Sequence, residues 1–406
     1  MWTEKCLIGA NMPETKKFRD MDLNERLDYI KDNSPISEDG MSAIRGWKEI
    51  ELKKGENHIG FMPFSIGLVK ITVDGKVRPI PIVTEEPSVV AAASHGAKMA
   101  ASTGGFETAV NKTETTGQIQ IIGIPAYRME EAIEKINAST DSLTEEGNQA
   151  SPHLVAAGGG IRSIRNKVID TKCGQQLIID FDVECMEAMG ANAVSKMAEA
   201  MAKPLEEITG GKVVGRILSN LHIGRVVTCA AKFDRNAIGL RKEMNGNIVE
   251  ISPDEMIDRI VALSEWAAND QFRATTHNKG IMNGVIGAAN ALGQDTRAME
   301  AAAHSYAAFG RPYSPLSYYE RSDDGNLYGC LKIPIPVGVI GGVINTNPIV
   351  KGLLEMTGCN NSRELASAIA AVGLAQNVSA LRMLAGEGIT NGHLPLHRLR
   401  TEQGQA

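Results

Sequence analysis

A chain of 406 residues, 43% of them hydrophobic, is long enough for two or three domains with proper cores and excludes wholesale disorder. A net charge of −6 and only 4% aromatics argue against a nucleic-acid partner, which would favour a basic face and stacking platforms. The six cysteines (Cys6, Cys173, Cys185, Cys229, Cys330, Cys359) form no CxxC pair, residues 1–17 lack a signal-type apolar stretch, and no apolar run reaches spanning length; we expect a cytoplasmic protein with free thiols, no zinc, no disulfides and no membrane.

Along the chain, the first periodic segment is residues 23–32, with Asp20 and Asp22 as N-cap candidates. Residues 56–73, interrupted by Gly60, Pro63 and Gly67, read as loop and strand. Pro87 suits the first turn of a helix, where its missing N–H costs nothing. Residues 89–101 continue that helix and are so uniformly small or apolar that it should lie deep in the core. Residues 118–123 alternate as a half-buried strand does. A helix fits 129–136, a polar loop 137–152 and a glycine turn 158–160. Strands fit 161–170 and 176–183, and a last strand fits 212–218. Between them a helix fits 192–207, which Pro204 should bend or end early. The order β-α-β-β-α-β is the split-βαβ or ferredoxin-like plan, not the doubly wound one. Further on, helices fit 254–269 and 283–292, and proline- and glycine-punctuated β structure fits 331–343. Residues 362–384 form a long alanine-rich helix or pair of helices, with Ser362 as N-cap.

The chemically richest stretch is Thr276-His277-Asn278-Lys279-Gly280-Ile281-Met282-Asn283-Gly284. A lysine set between an amide and a glycine points to an ammonium aimed at an anion, although lone lysines are ordinarily just solvated. Glu85 and Glu86 precede Pro87. Acids there satisfy the helix macrodipole with no further role, but a carboxyl desolvated beside a buried helix can donate a proton near neutrality. Asp295 can be a plain N-cap for the residues after it. Met189-Gly190-Ala191-Asn192 opens a helix whose free N–H groups could hold a pyrophosphate, without the G-x-G-x-x-G of a Rossmann site. His393 and His397 lie four apart, but Pro395 intervenes and no third ligand accompanies them, so no metal is expected.

Together these segments resemble the class II, bacterial and archaeal form of 3-hydroxy-3-methylglutaryl-CoA (HMG-CoA) reductase. The resemblance is carried by Glu56-Asn57-His58-Ile59-Gly60, Glu85-Glu86-Pro87-Ser88, Met189-Gly190-Ala191-Asn192, Arg216-Ile217-Leu218-Ser219-Asn220-Leu221, the Thr276–Gly284 run and Gly373-Leu374-Ala375-Gln376-Asn377, and it extends over residues 18–397. It implies an α+β fold, with a helix-rich large domain around a central buried helix. Residues 18–112 and 222–380 would form that domain, 113–221 an inserted ferredoxin-like (βαββαβ), non-Rossmann dinucleotide-binding domain, and 381–406 a shortened C-terminal flap.

The resemblance further implies reduction of a thioester to an alcohol by two nicotinamide hydrides, interconverting HMG-CoA and mevalonate plus CoA. Lys279 would stabilise the oxyanion. Glu86 would protonate the alkoxide, Asp295 would hold Lys279 charged and tune Glu86, and His393 would protonate the departing CoA thiolate. Arg273, Ser88 and Asn283 would bind the substrate's carboxylate and hydroxyl, the arginine through its fork. Asn220 and Gln376 would line the pocket, and Arg19 would meet CoA phosphates. Glu187, Gly190 and Asn192 would hold NAD or NADP, and the acidity of Asp141, Glu145 and Glu146 tilts the choice to NAD. An active site between two subunits implies a homodimer or larger assembly. The chain departs from the family pattern at Glu187 (usually Asp), Ser195 (typically Asn), residues 341–348, and a C-terminus thirteen residues after His393, where relatives carry a closing flap. Those departures motivate an alternative, a CoA-ester-binding homologue with weak or lost turnover. A cysteine-based acyl-CoA dehydrogenase is a third reading, with no cysteine in a nucleophile setting.

Overall fold

The structure, a computed structural model, describes residues 21–45, 64–110, 112–244, 247–386 and 388. Arg19, the Glu56–Gly60 motif, His393 and almost all of the flap segment beyond 386 lie outside the described residues. The first helix, α1 (Leu23–Asn33), starts at Asp22. Its carboxylate accepts the Glu25 N–H at 3.0 Å while the Glu25 carboxylate accepts the Asp22 N–H, a reciprocal capping box. After α2 (Glu38–Arg45), β1 (Ile66–Val73) and β2 (Lys76–Val83) form a hairpin. It turns on Asp74 and Gly75, whose φ values of 50° and 74° are those that two-residue turns demand. The chain then enters α3 (Pro87–Ala101) and β3 (Phe106–Val110).

The next elements form a separate small unit. They are β4 (Glu114–Ile122), α4 (Met129–Ala138), α5 (Thr140–Gln149), α6 (Pro152–Ala156), β5 (Gly160–Thr171), β6 (Gly174–Glu184), α7 (Ala191–Thr209) and β7 (Lys212–Leu218). The four strands lie in the order β5-β6-β4-β7 with antiparallel neighbours, and their inner faces share one aliphatic core with α4, α5 and α7. Two expectations fail here. Residues 137–152 are not a loop but mainly α5, because Leu143 and Gly147 give an otherwise polar segment a buried stripe at helical spacing. Pro204 does not end α7, which runs on to Thr209. The buried row Val194, Met197, Ala198, Met201 and Leu205 holds the helix against a proline penalty of about 3 kcal/mol.

The large unit resumes with β8 (Val226–Phe233), α8 (Arg235–Ile238), β9 (Leu240–Met244), β10 (Asn247–Ile251), α9 (Pro253–Asn269), α10 (Gln271–Ala291), α11 (Thr296–Ala307), β11 (Ser317–Arg321), β12 (Leu327–Pro334), α12 (Pro348–Thr357) and α13 (Ser362–Ala385). Its six-stranded sheet has the order β11-β12-β8-β3-β1-β2, with α3, α10 and α13 packed on it. The whole Thr276–Gly284 run lies inside α10. The strand expected over 331–343 stops at Pro334, since Pro334 and Pro336 cannot donate to a ladder. The alanine-rich segment is one helix, and its N-cap is Asn361, whose side chain accepts the Glu364 N–H at 2.8 Å.

The deepest helix is α13, not α3. Helix α3 exposes Ala91, His95, Lys98 and Ala101, whereas α13 is buried on all sides from Leu365 to Ser379. By length and hydropathy α13 is also a candidate membrane span, yet 72% of its most apolar window is buried within the protein, as a core helix requires. Two glycines let its neighbours approach. A Cβ on Gly96 of α3 would lie 1.9 Å from the Ala375 carbonyl oxygen, and one on Gly284 of α10 would lie 2.9 Å from Gln376 Cβ. Both crossings bring polar residues of three helices to one seam.

Candidate active site

On α10 the motif divides by helical face. His277 and Asn278 are fully buried, while Lys279 is exposed and makes no hydrogen bond or ion pair among the described residues. The buried pair is held by hydroxyls and carbonyls, not charges. Asn278 donates to Tyr313 Oη and the Ser314 carbonyl, both at 3.0 Å, and accepts the Leu316 N–H at 2.9 Å. His277 Nε2 meets Ser317 Oγ at 2.6 Å. Asn283, one turn beyond Lys279, is half-buried and shares its face. Gln376 of α13 is buried at the Gly284 crossing, with its Oε1 lacking a partner. Arg273, in the first turn of α10, stacks over Trp266 at 5.8 Å. Its Nε is buried without a partner, and burial pulls its guanidinium below the ordinary arginine value.

Glu86 is the N-cap of α3, where its Oε1 accepts the Ser88 N–H at 3.1 Å, and Ser88 itself is buried. Asp295 caps α11 by accepting the Arg297 and Ala298 N–H groups at 3.1 Å each. The structural role open to both acids is therefore realised. Asp295 forms no ion pair with Lys279 in this single chain. Its near charged neighbour in α11 is the exposed Arg297, at 3.5 Å. Asn220 is exposed between β7 and β8.

The small unit offers a different site. Gly190 caps α7 with φ 101°, and a Cβ there would lie 2.3 Å from Cys185 Sγ, so only glycine fits. It supplies no side-chain acceptor, which leaves the first-turn N–H groups free of any cap, beside the exposed Asn192. Glu187, three residues before Gly190, is engaged with α13. Its carboxylate accepts the Ser362 N–H at 2.6 Å, at the start of α13.

Sequence reasoning missed two groups. Arg225 is buried at the junction of the units. It donates to Thr115 Oγ1 at 3.0 Å and to the Ala188 carbonyl at 3.0 Å on the small side, and to the Val337 carbonyl at 3.1 Å on the large side. An arginine leading into the apolar strand β8 without an acid nearby was its only signal. His222 is buried with both ring nitrogens unpartnered. Burial first, and then the Arg225 charge, lowers its pKa to about 4, against an opposite pull from Asp295. The cysteine reading gains nothing: burial pushes the Cys185 and Cys229 thiols up, away from the nucleophilic thiolate.

A family model described as hydroxymethylglutaryl-coenzyme A reductase matches residues 22–398. A 3-hydroxy-3-methylglutaryl-coenzyme A reductase of Archaeoglobus fulgidus is 41% identical over 384 residues, covering 94% of this chain and 84% of that protein. A probable one of Borreliella burgdorferi is 32% identical, covering 96% and 87%. The class II enzyme of Streptococcus pneumoniae, solved bound to NADPH in open conformations, matches with a TM-score of 0.82 at 33% identity, over 90% of this chain and 98% of that one.

Proposed function

The chain belongs to the hydroxymethylglutaryl-coenzyme A reductase family, and from that premise we propose how its residues divide the chemistry. It is an NAD(P)-dependent oxidoreductase interconverting HMG-CoA and mevalonate plus CoA. The alternative of a homologue without turnover is not favoured. The strand order of the small unit, and a β-α-β-β-α-β sequence in which α5 and α6 extend the first crossover, support reading residues 113–221 as an inserted ferredoxin-like dinucleotide-binding domain. Residues 18–112 and 222–380 are then the large domain, and 381–406 the flap. The uncapped first turn of α7 suits a pyrophosphate, so Gly190 and Asn192 are the residues that hold the dinucleotide there. Glu187 joins them in holding the dinucleotide, its carboxylate also accepting the Ser362 N–H. The nicotinamide supplies one hydride in each of the two reductions.

One observation carries the assignment of the reacting end. Lys279 is exposed and unpaired among the described residues, next to His277 and Asn278, which are buried and bonded, so its ammonium is available to a ligand anion. It stabilises the oxygen of the thioester carbonyl as that carbon becomes tetrahedral. Glu86 delivers the proton the alkoxide needs. Asp295, released from its capping bonds or shared with them, keeps Lys279 charged. Arg273, Ser88, Asn283, Asn220 and Gln376 hold the acyl group, and Arg19 the CoA phosphates. His393 protonates the CoA thiolate so that the first step does not reverse. We read the enzyme as cytoplasmic and as a homodimer, its site completed across the subunit interface. Helix α5 packs on α7 and presents Asp141, Glu145 and Glu146 to solvent, which supports NAD over NADP.

The test is nicotinamide oxidation with HMG-CoA, using both dinucleotides. Lys279→Ala should lower kcat by about 10²–10³-fold with unaltered far-UV circular dichroism, because the side chain is exposed. Full turnover in that variant would sink the mechanism, and a higher kcat/KM with NADPH than with NADH would sink the cofactor preference.

A further inference from the structure

The buried network beneath Lys279 has a direction, and it ends on a nitrogen with no proton. Asn377 of α13 accepts from Ser317 Oγ at 2.9 Å and Tyr319 Oη at 2.8 Å, and its Nδ2 faces the His277 carbonyl at 3.5 Å. A backbone carbonyl only accepts, so the amide must turn its Nδ2 towards that oxygen and its Oδ1 towards the two hydroxyls. The single hydrogen of Ser317 is thereby committed to Asn377. At 2.6 Å from His277 Nε2, Ser317 Oγ can then only accept, which places the imidazole proton on Nε2. Burial first, and then the Arg273 charge, lowers the His277 pKa to about 3, so Nδ1 carries a bare lone pair at working pH. That Nδ1 is buried and has no partner among the described residues.

Four residues earlier on α10, Arg273 Nε carries a buried N–H that also has no partner. Positions i and i+4 of a helix lie on one face, and the Arg273 charge is felt at the His277 ring. One group is a donor without an acceptor, and the other an acceptor without a donor. The remaining orphaned acceptor of the seam, Gln376 Oε1, stands at the Gly284 crossing, about 16 Å further along α10 from Arg273 and out of reach. Leaving either group dry and unpaired is unfavourable by about 1–3 kcal/mol, so the two gain most by meeting.

We propose that His277 is a positioning residue: when the substrate's free carboxylate engages the guanidinium fork, the bare Nδ1 accepts the Arg273 Nε–H, a bond the two do not make in this structure, and so fixes the plane of the fork. With Nε engaged from behind, both terminal nitrogens point forward as a pair, the geometry that bidentate carboxylate recognition needs. Stacked only on the exposed Trp266, the guanidinium has no such constraint. This inference rests on the assignment of Arg273 to the substrate carboxylate.

The experiment compares binding of HMG-CoA and of free CoA, which lacks the carboxylate, by calorimetry, together with steady-state kinetics. His277→Gln keeps a donor for Ser317 but has no acceptor at the δ position. It should weaken HMG-CoA about tenfold, leave CoA binding and the melting temperature near wild type, and raise KM with kcat little altered. Arg273→Ala should weaken HMG-CoA by more, again sparing CoA. If Arg273→Ala acts and His277→Gln does not, this inference falls alone. If neither acts, the assignment of Arg273 falls with it. A His277→Gln effect equal for HMG-CoA and CoA also overturns it, since only a structural defect would behave that way. Should His277→Gln fail to fold, Ser317→Ala carries the test. It frees the tautomer without touching the guanidinium, and should weaken HMG-CoA severalfold; an unchanged affinity overturns the inference.

Discussion

The sheet of the small unit and the α10–α13 seam of the large unit satisfy their polar groups by opposite means. On the small sheet, acids are paired across strands. Asp180 accepts from Gln118 at 2.8 Å and Lys167 at 2.6 Å, and Asp182 accepts from Thr116 at 2.7 Å, Ser163 at 2.8 Å and Arg165. In the seam of α10 and α13 the groups are amides, hydroxyls and a neutral imidazole, namely Asn278, Asn377, Ser317, Tyr319 and His277. Charge is thus neutralised locally on the small sheet and kept away from this seam. The consequence is chemical. A lysine beside the small sheet would be paired off, whereas Lys279 leaves α10 with its charge unopposed by any described side chain.

That contrast depends on how closely the helices meet, and the largest effect comes from forcing them apart. Gly96→Ala would place a methyl 1.9 Å from the Ala375 carbonyl oxygen. Backbone cannot yield as a flexible side chain does, so we expect a loss of about 3 kcal/mol or more, measured by chemical denaturation. Since α3 carries Glu86 at its start, turnover should fall as well. A variant as stable as wild type would mean that the seam tolerates displacement and that its networks do not depend on it.

The next effect separates the units by pH. His222 is neutral when buried, with a pKa of about 4, and takes up a proton when unfolded below its ordinary value near 6.5. The unfolded state therefore binds more protons between these values. Stability rises with pH across that window and is lost as pH falls towards 4. The contribution is about 2–3 kcal/mol, and His277 adds in the same direction. His222→Leu should remove about one proton from the uptake on unfolding at pH 5. An unchanged slope of stability with pH would show that His222 is not held neutral.

Much of this architecture was legible because period and punctuation agree with the tertiary outcome. The strand at 212–218, the proline-started α3 and the sequence of the four small-unit strands all follow from local pattern. What was hidden is long-range. α5 looked polar because two residues, Leu143 and Gly147, make up its buried stripe. Glu86, Lys279 and Asp295 stand out in sequence as unusual choices of residue, yet nothing local says that Asp295 spends both capping bonds on α11. Arg225, His222 and the Ser317–Asn377–His277 chain could not be read at all. Arg225 and the Ser317–Asn377–His277 chain act through partners more than 30 residues away, His222 is set apart only by its burial, and a lone arginine or histidine carries no spacing signal.

The smallest effect lies in the small sheet and has its own pH window. Burial alone would raise the Asp182 carboxyl, but its bonds to Arg165, Thr116 and Ser163 outweigh that and lower it to about 2. A depressed carboxyl stabilises the fold above its unfolded value near 3.9, and that contribution is lost as pH falls from there towards 2. Arg165 is half-exposed, so solvent screening reduces the share of Asp182 to about 1 kcal/mol. Asp182→Asn should therefore lower protection of the β4 and β6 amides at pH 5, with the difference from wild type closing as pH falls through 4 to 2. Hydrogen exchange followed strand by strand reads this directly. The seam of α10 and α13 should begin to lose protection earlier, near pH 6, because His277 destabilises the fold progressively from its ordinary value down to about 3. If the seam holds until the small sheet gives way and both then lose protection together, the two polar systems are one, and the separation drawn between them fails.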